Sequence, residues 1–250
     1  MWIDMKRTIL SVLMLCALCV GVCAQEVAFT ADRPGASTGT SVLGQGVLQL
    51  EQGVEFQRES KENTFTFSNT LVRYGLCERM ELRIGGDGFM CNNESKKECA
   101  FSGISLGTKI SCYEGKGAIP AVSVLADFVL PNTASSGFET KNLAPSLYLL
   151  FDNPINEKLN IGYNVGAEWD GESASPAAFV ALCLGVSAND KFGYFVEGYK
   201  YFPDKSYYAD FGANVMVARN VQLDIAANIN VGNPSKYWAI SFGVVWQINK

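Results

Sequence analysis

Ten charged side chains sit at alternate positions within otherwise apolar segments: Glu51, Glu55, Glu81, Arg83, Lys109, Asp127, Glu168, Glu197, Asp210 and Asp224. Paired carboxylates can run general acid and base chemistry, and a serine beside a lysine can act as a nucleophile. Spacing picks out no nucleophile and base here, and the chain has no histidine to act as base or shuttle. No catalytic residue is assigned, and the expectation is a protein that is not an enzyme. The set is mostly acidic. If it lines an open passage, a mild preference for cations follows; alternatively Arg83 and Lys109 pair with neighbouring carboxylates and fill the space.

Five cysteines follow the leader described below: Cys77, Cys91, Cys99, Cys112 and Cys183. Partners in an antiparallel hairpin share a nearly constant index sum, and the pairs Cys91 with Cys99 and Cys77 with Cys112 both fit one hairpin built from MELRIGG and ISLGTKISC. An exported chain meets oxidising conditions, so a Cys91–Cys99 bridge clamping the loop NNESKKE is expected, with Cys77–Cys112 as a second bridge. Cys183 reads as a small apolar side chain. No CxxC and no histidine accompany these cysteines, so neither a metal nor any other cofactor is expected.

The elements that must position these residues are strands. Met5-Lys6-Arg7, an apolar run of about 14 residues from Ile9 to Val22, and Val22-Cys23-Ala24 form a secretory signal peptide over residues 1–24. Residues 25–45 are a polar lead-in in which Asp32-Arg33-Pro34 is the only sharp feature. It either docks inside the folded body, with Arg33 meeting an acidic wall residue, or hangs as a loose periplasmic tail. Residues 46–250 then alternate with period two, as in LNIGYNVGAEW from Leu159 to Trp169, and give about twelve strands with no helical period. Gly75-Leu76-Cys77 reads as a compact turn, Gly86 to Ala100 and Pro131 to Asn142 as longer loops, and Gly85-Gly86-Asp87-Gly88 as a loop hinge.

Which face meets water decides the class. No stretch after the leader holds the about 20 apolar residues of a membrane helix, so any crossing of lipid must use strands. The apolar face carries Trp169, Trp238 and Trp246 at strand ends, where interfacial aromatics belong, and the other face is small, polar or charged. The expectation is an all-β fold, a single antiparallel transmembrane β-barrel in the outer membrane of a Gram-negative bacterium, its apolar face against outer-membrane lipid. A soluble secreted β-sandwich is the alternative, and it would extract without detergent. The net charge of −5 and the acidic composition make nucleic acid an improbable partner.

The final run, Ser241 to Ile248, resembles the last-strand signal read by the barrel assembly machinery, although Asn249-Lys250 follow it. The segments ADRPGASTGTSVLGQGVLQLEQGVEF and LVRYGLCERMELRIGG resemble the outer-membrane family named for the MetA-pathway of phenol degradation. The resemblance rests on Asp32-Arg33-Pro34, Leu50-Glu51, Arg73-Tyr74-Gly75-Leu76 and Glu81-Leu82-Arg83, and continues at Pro145-Ser146-Leu147. It implies a signal-bearing barrel with a transport role for a small-molecule solute of unknown identity. A closed-lumen barrel that binds partners through its outer loops is the other reading.

Overall fold

A computed structural model of the chain describes residues 29–92 and 97–248. The expected leader, the first residues of the lead-in and the centre of NNESKKE lie outside the described residues. Period-two alternation is satisfied by extended chain, and the described residues form thirteen strands. These are β1 (Leu48–Glu59), β2 (Glu62–Cys77), β3 (Met80–Asn92), β4 (Lys97–Phe101), β5 (Ser105–Tyr113), β6 (Ala121–Val129) and β7 (Ala144–Pro154). They continue with β8 (Leu159–Glu168), β9 (Ala177–Ser187), β10 (Phe192–Phe202), β11 (Tyr208–Ala218), β12 (Val221–Asn230) and β13 (Tyr237–Ile248).

Chain neighbours other than β4 and β5 pair antiparallel, and β1 pairs with β13 from Leu48↔Ile248 to Glu59↔Tyr237, closing the sheet on itself. Both β4 and β5 lie along β3, one beside Gly88 to Asn92 and the other beside Met80 to Gly85. They act as one broken stave, so the closed barrel has twelve. Closure removes every edge that would otherwise leave unpaired backbone groups in lipid.

Three connections differ from expectation. Gly75-Leu76-Cys77 belongs to β2, and the turn falls at Glu78-Arg79. Most of Gly86 to Ala100 is paired strand, and Gly85-Gly86-Asp87-Gly88 lies inside β3 instead of hinging a loop. Glycines suit that strand because the rings of Phe101 and Phe67 occupy the space a Cβ would take at Gly86 and Gly88.

The expected disulfides are corrected by register. All five cysteines are free thiols. Cys91 stands opposite Glu98 and Cys99 opposite Met90, one residue out of step, so the two side chains leave opposite faces of the ribbon. Cys77 is buried while Cys112 is exposed, and no bridge joins them.

The barrel is apolar outside and polar inside. Leu149, Leu182, Val196, Phe211, Ile225 and Phe242 project from its outer face, while Gln49, Glu51, Glu81, Lys109, Asn164 and Gln247 are buried within it. Trp238 and Trp246 lie on the outer face near opposite ends of β13, Trp238 packed on Phe56 with centroids 5.5 Å apart. Trp169, just beyond β8, donates its indole N–H to Ala174 O at 3.3 Å. Large apolar side chains bared all around a sheet are stable only against lipid. Leu182→Arg, at the centre of the outer face of β9 and 60% exposed here, is expected to destabilise the barrel by about 2–4 kcal/mol in lipid vesicles. Equilibrium urea unfolding measures it, and a loss below ~1 kcal/mol would place that face outside the membrane.

Candidate functional site

The lead-in enters the barrel and runs round its inner wall. Gln49 donates to Thr30 O at 2.9 Å, and the Asp32 and Arg33 amides both donate to the Glu51 carboxylate at 3.1 Å. Arg33 reaches across to Asn69 Oδ1 at 2.9 Å and Asp224 Oδ1 at 3.1 Å. The Ala36 and Ser37 amides and the Ser37 hydroxyl then donate to Glu197. Thr38 exchanges two hydrogen bonds with Asn164, at 2.7 and 3.0 Å. The Thr40 amide donates to Asp152 at 2.7 Å, Ser123 donates to Thr40 O at 2.6 Å, and the Leu43 amide donates to Glu81 at 2.9 Å. The segment therefore satisfies its backbone with wall carboxylates and amides, which a chain of short polar residues needs when it is removed from water.

At its centre lies an ion-pair cluster. Arg73 binds Glu51 at 2.8 Å and Glu81 at 2.8 Å, with Asp32 at 3.5 Å. Arg83 holds Asp32 at 2.5 Å and Glu81 at 2.9 Å, and Lys109 holds Asp32 at 2.7 Å. Three carboxylates meet three cations, so these six side chains are neutral as a unit, with Asp127 standing 3.6 Å from Arg83 Nε at their edge, and each desolvated charge has partners. Burial alone would raise the Asp32 pKa, but Arg73, Lys109 and Arg83 overcome it and hold this carboxyl well below the usual carboxylate range. Space for Arg33 comes from Gly53 and Gly243, which face each other across β1 and β13; a Cβ on either would overlap the guanidinium.

The segment divides the lumen into two cavities. One, about 580 Å³, opens toward the end away from the termini and is lined by Glu55, Asp87, Asp127, Tyr199, Asp210 and Tyr237 among others. The other, about 560 Å³, lies toward the terminal end against Asp152, Asn160, Asn214 and the turns 155–158 and 188–191. Asp32, Arg33 and Pro34 line both.

All ten charged residues selected by strand parity face the interior. Glu51, Glu81, Arg83, Lys109, Glu197 and Asp224 contact the lead-in. Glu55, Asp127 and Asp210 line the larger cavity. Glu168 accepts a hydrogen bond from Tyr148 at 2.6 Å on the wall. Sequence reasoning missed Arg73, the hub of the cluster, because β2 carries a bulge between Thr66 and Ser68. Phe65 and Phe67 point outward before it and Tyr74 after it, so parity counted from the phenylalanines puts Arg73 on the wrong face. Asp152 and Asp87 were also missed. Both stand in segments whose alternation marks them as inward once a neighbouring apolar residue is assigned outward.

A family model described as "Putative MetA-pathway of phenol degradation" matches residues 31–248. No curated protein sequence matches the chain. Among solved structures, the barrel is similar to the KdgM porin in complex with disordered oligogalacturonate, at TM-score 0.56 and 10% identity over 80% of this chain and 99% of that one. The NanC porin aligns at TM-score 0.55 and 10% identity, over 80% of this chain and 100% of that one. The translocator domain of the autotransporter NalP from Neisseria meningitidis aligns at 0.51 and 14%, over 83% and 89% of the two chains. Such identities make the likeness one of fold.

Proposed function

We infer that this chain, which belongs to the MetA-pathway phenol-degradation family, is an outer-membrane channel for passive passage of small solutes, closed at rest by its own N-terminal segment. The signal-peptide pattern, the apolar outer belt and the C-terminal run suited to the barrel assembly machinery support the location. One observation carries the mechanism: two cavities approach each other from opposite ends of the lumen and share only the Asp32-Arg33-Pro34 strip between them as a common lining. A solute entering one cavity must displace that strip to reach the other. Polar, narrow lumens of this kind select by size and charge without coupling to an energy source. The oligogalacturonate named for KdgM is a polyanion, and the carboxylates of the larger cavity here disfavour a solute of that sign.

Asp32 bridges the strip to the wall, so Asp32→Asn should loosen it. In proteoliposomes, the Asp32→Asn barrel is expected to admit a small sugar several-fold faster than the unaltered protein by osmotic swelling, with folded mobility on gels unchanged. Equal, negligible swelling in both would favour the second reading, a closed barrel acting through its outer loops. That reading has its own support in the neutral, fully paired cluster and in the ties between two long loops, Lys141 to Glu172 at 2.6 Å and Asn142 Nδ2 to Gly171 O at 2.9 Å.

A further inference from the structure

We propose that the larger cavity is a binding site for a small organic cation, an ammonium or guanidinium group carried on a compact apolar body. The proposal rests on the channel reading, since it names the class of solute that the outer mouth would admit. Six carboxylates and two guanidinium groups line this cavity. Arg33 is bound to Asn69 and Asp224, and Arg83 chiefly to Asp32 and Glu81, with a longer approach of 3.6 Å to Asp127. Glu55, Asp87, Asp127 and Asp210 are the carboxyl groups of the wall that an entering solute meets.

Asp210 is the best indication that a ligand belongs there. It is 5% exposed, it lines the cavity, and its Oδ1 has no hydrogen-bond partner. Its neighbour across the strands, Glu197, is saturated by the lead-in amides, whereas Asp210 is not. A buried acceptor without a donor is costly, and a cationic N–H group supplies what it lacks. Beside it, Asn228 also lines the cavity with an unpartnered Oδ1 while its Nδ2 donates to the Tyr199 hydroxyl.

Aromatic faces complete the site. Tyr199 stacks on Tyr208 with centroids 5.1 Å apart and planes 14° from parallel, and Tyr208 meets Tyr237 edge-on at 5.4 Å. Tyr199 and Tyr237 line the cavity. Rings backed in this way present fixed π-faces, which attract ammonium and guanidinium groups and cover an apolar body. Among the described residues, no three acidic, cysteine or histidine side chains converge tightly enough to hold a metal ion. Carboxylates dispersed around tyrosines match a cation several ångströms across better than a bare ion.

The test uses the refolded mature protein in detergent with three probes of one shape: 2-phenylethylammonium, 2-phenylethanol and phenylacetate. Calorimetric titration is expected to show saturable binding of the ammonium, at least about tenfold tighter than the alcohol or the carboxylate. Asp210→Asn and, separately, Glu55→Gln should each weaken the ammonium at least about fivefold while leaving the alcohol unchanged. Heat-modifiable gel mobility confirms that each variant is folded, and either variant alone suffices if the other is not. Equal affinity for ammonium and alcohol, ammonium binding indifferent to both variants, or no saturable binding would each overturn the proposal. Binding is read without conductance. A silent barrel that binds the ammonium loses the channel and keeps the site; a conducting barrel that does not bind it loses only the site.

Discussion

Removal of residues 29–45 is expected to raise the single-channel conductance of the reconstituted barrel by at least about tenfold, because it empties a lumen that the side chains of a twelve-stranded wall do not fill by themselves. The strands themselves should survive. Their ladder bonds, including the β1–β13 closure, involve none of the deleted residues. What changes is the inner wall: Glu197, Asn164 and Asp152 lose their amide donors, and Asp224 loses Arg33. Water replaces those donors once the lumen is wet, so the freed carboxylates face the passage. The opened channel should therefore favour potassium over chloride, and adding Asp224→Asn should reduce that preference. Planar-bilayer recording with a salt gradient reads both. A shortened barrel that folds and stays silent would mean that wall side chains alone close the lumen, and the loop-binding reading would take the place of the channel.

The architecture was legible because period-two alternation depends on local sequence alone. Leu223, Ile225 and Asp224 declare their faces without reference to any other strand. The inward assignment of ten charged residues followed from the same rule. Register between strands was less legible, since a shift of one residue is invisible to composition. That is why Cys91 and Cys99 were paired although they point apart, and why the bulge near Phe67 hid Arg73. The docking of the lead-in was an open choice because Gly, Ser and Thr suit a mobile tail as well as a buried strand of chain. Only the matching wall hydrogen-bonding groups, spread over β1, β3, β6, β7, β8 and β10, decide between them. Among the sequence pieces that carried the family resemblance, Asp32, Glu51, Arg73, Glu81 and Arg83 are members of the central cluster, which Lys109 completes. Segments separated by tens of residues share a motif because they share one neutral, buried set of charges.

Arg73→Ala is expected to destabilise the barrel by about 3–5 kcal/mol, the loss that follows when one partner of a buried ion cluster is removed and the others stay. Arg73 is 0% exposed and touches Glu51, Glu81 and Asp32. Without it, three carboxylates face only Arg83 and Lys109, and one charge stands desolvated without compensation. Restoring neutrality should restore much of the loss: Arg73→Ala with Glu51→Gln is expected to be more stable than Arg73→Ala alone by about 1–3 kcal/mol, the range for directly coupled residues. Urea unfolding in vesicles, followed by tryptophan emission, measures the set. The same cluster fixes the response to acid. Because the Asp32 pKa is depressed in the folded protein, its contribution is intact above the unfolded value of about 4 and is lost progressively as pH falls below it. Protonating Asp32 removes the anion that ties the lead-in to Lys109 and Arg83, and because its pKa is depressed the closed state should hold in mild acid and loosen only in strong acid. Double-mutant recovery absent, or a closed state indifferent to acid, would mean that the lead-in is held by its backbone hydrogen bonds and that the charges at its centre only fill space.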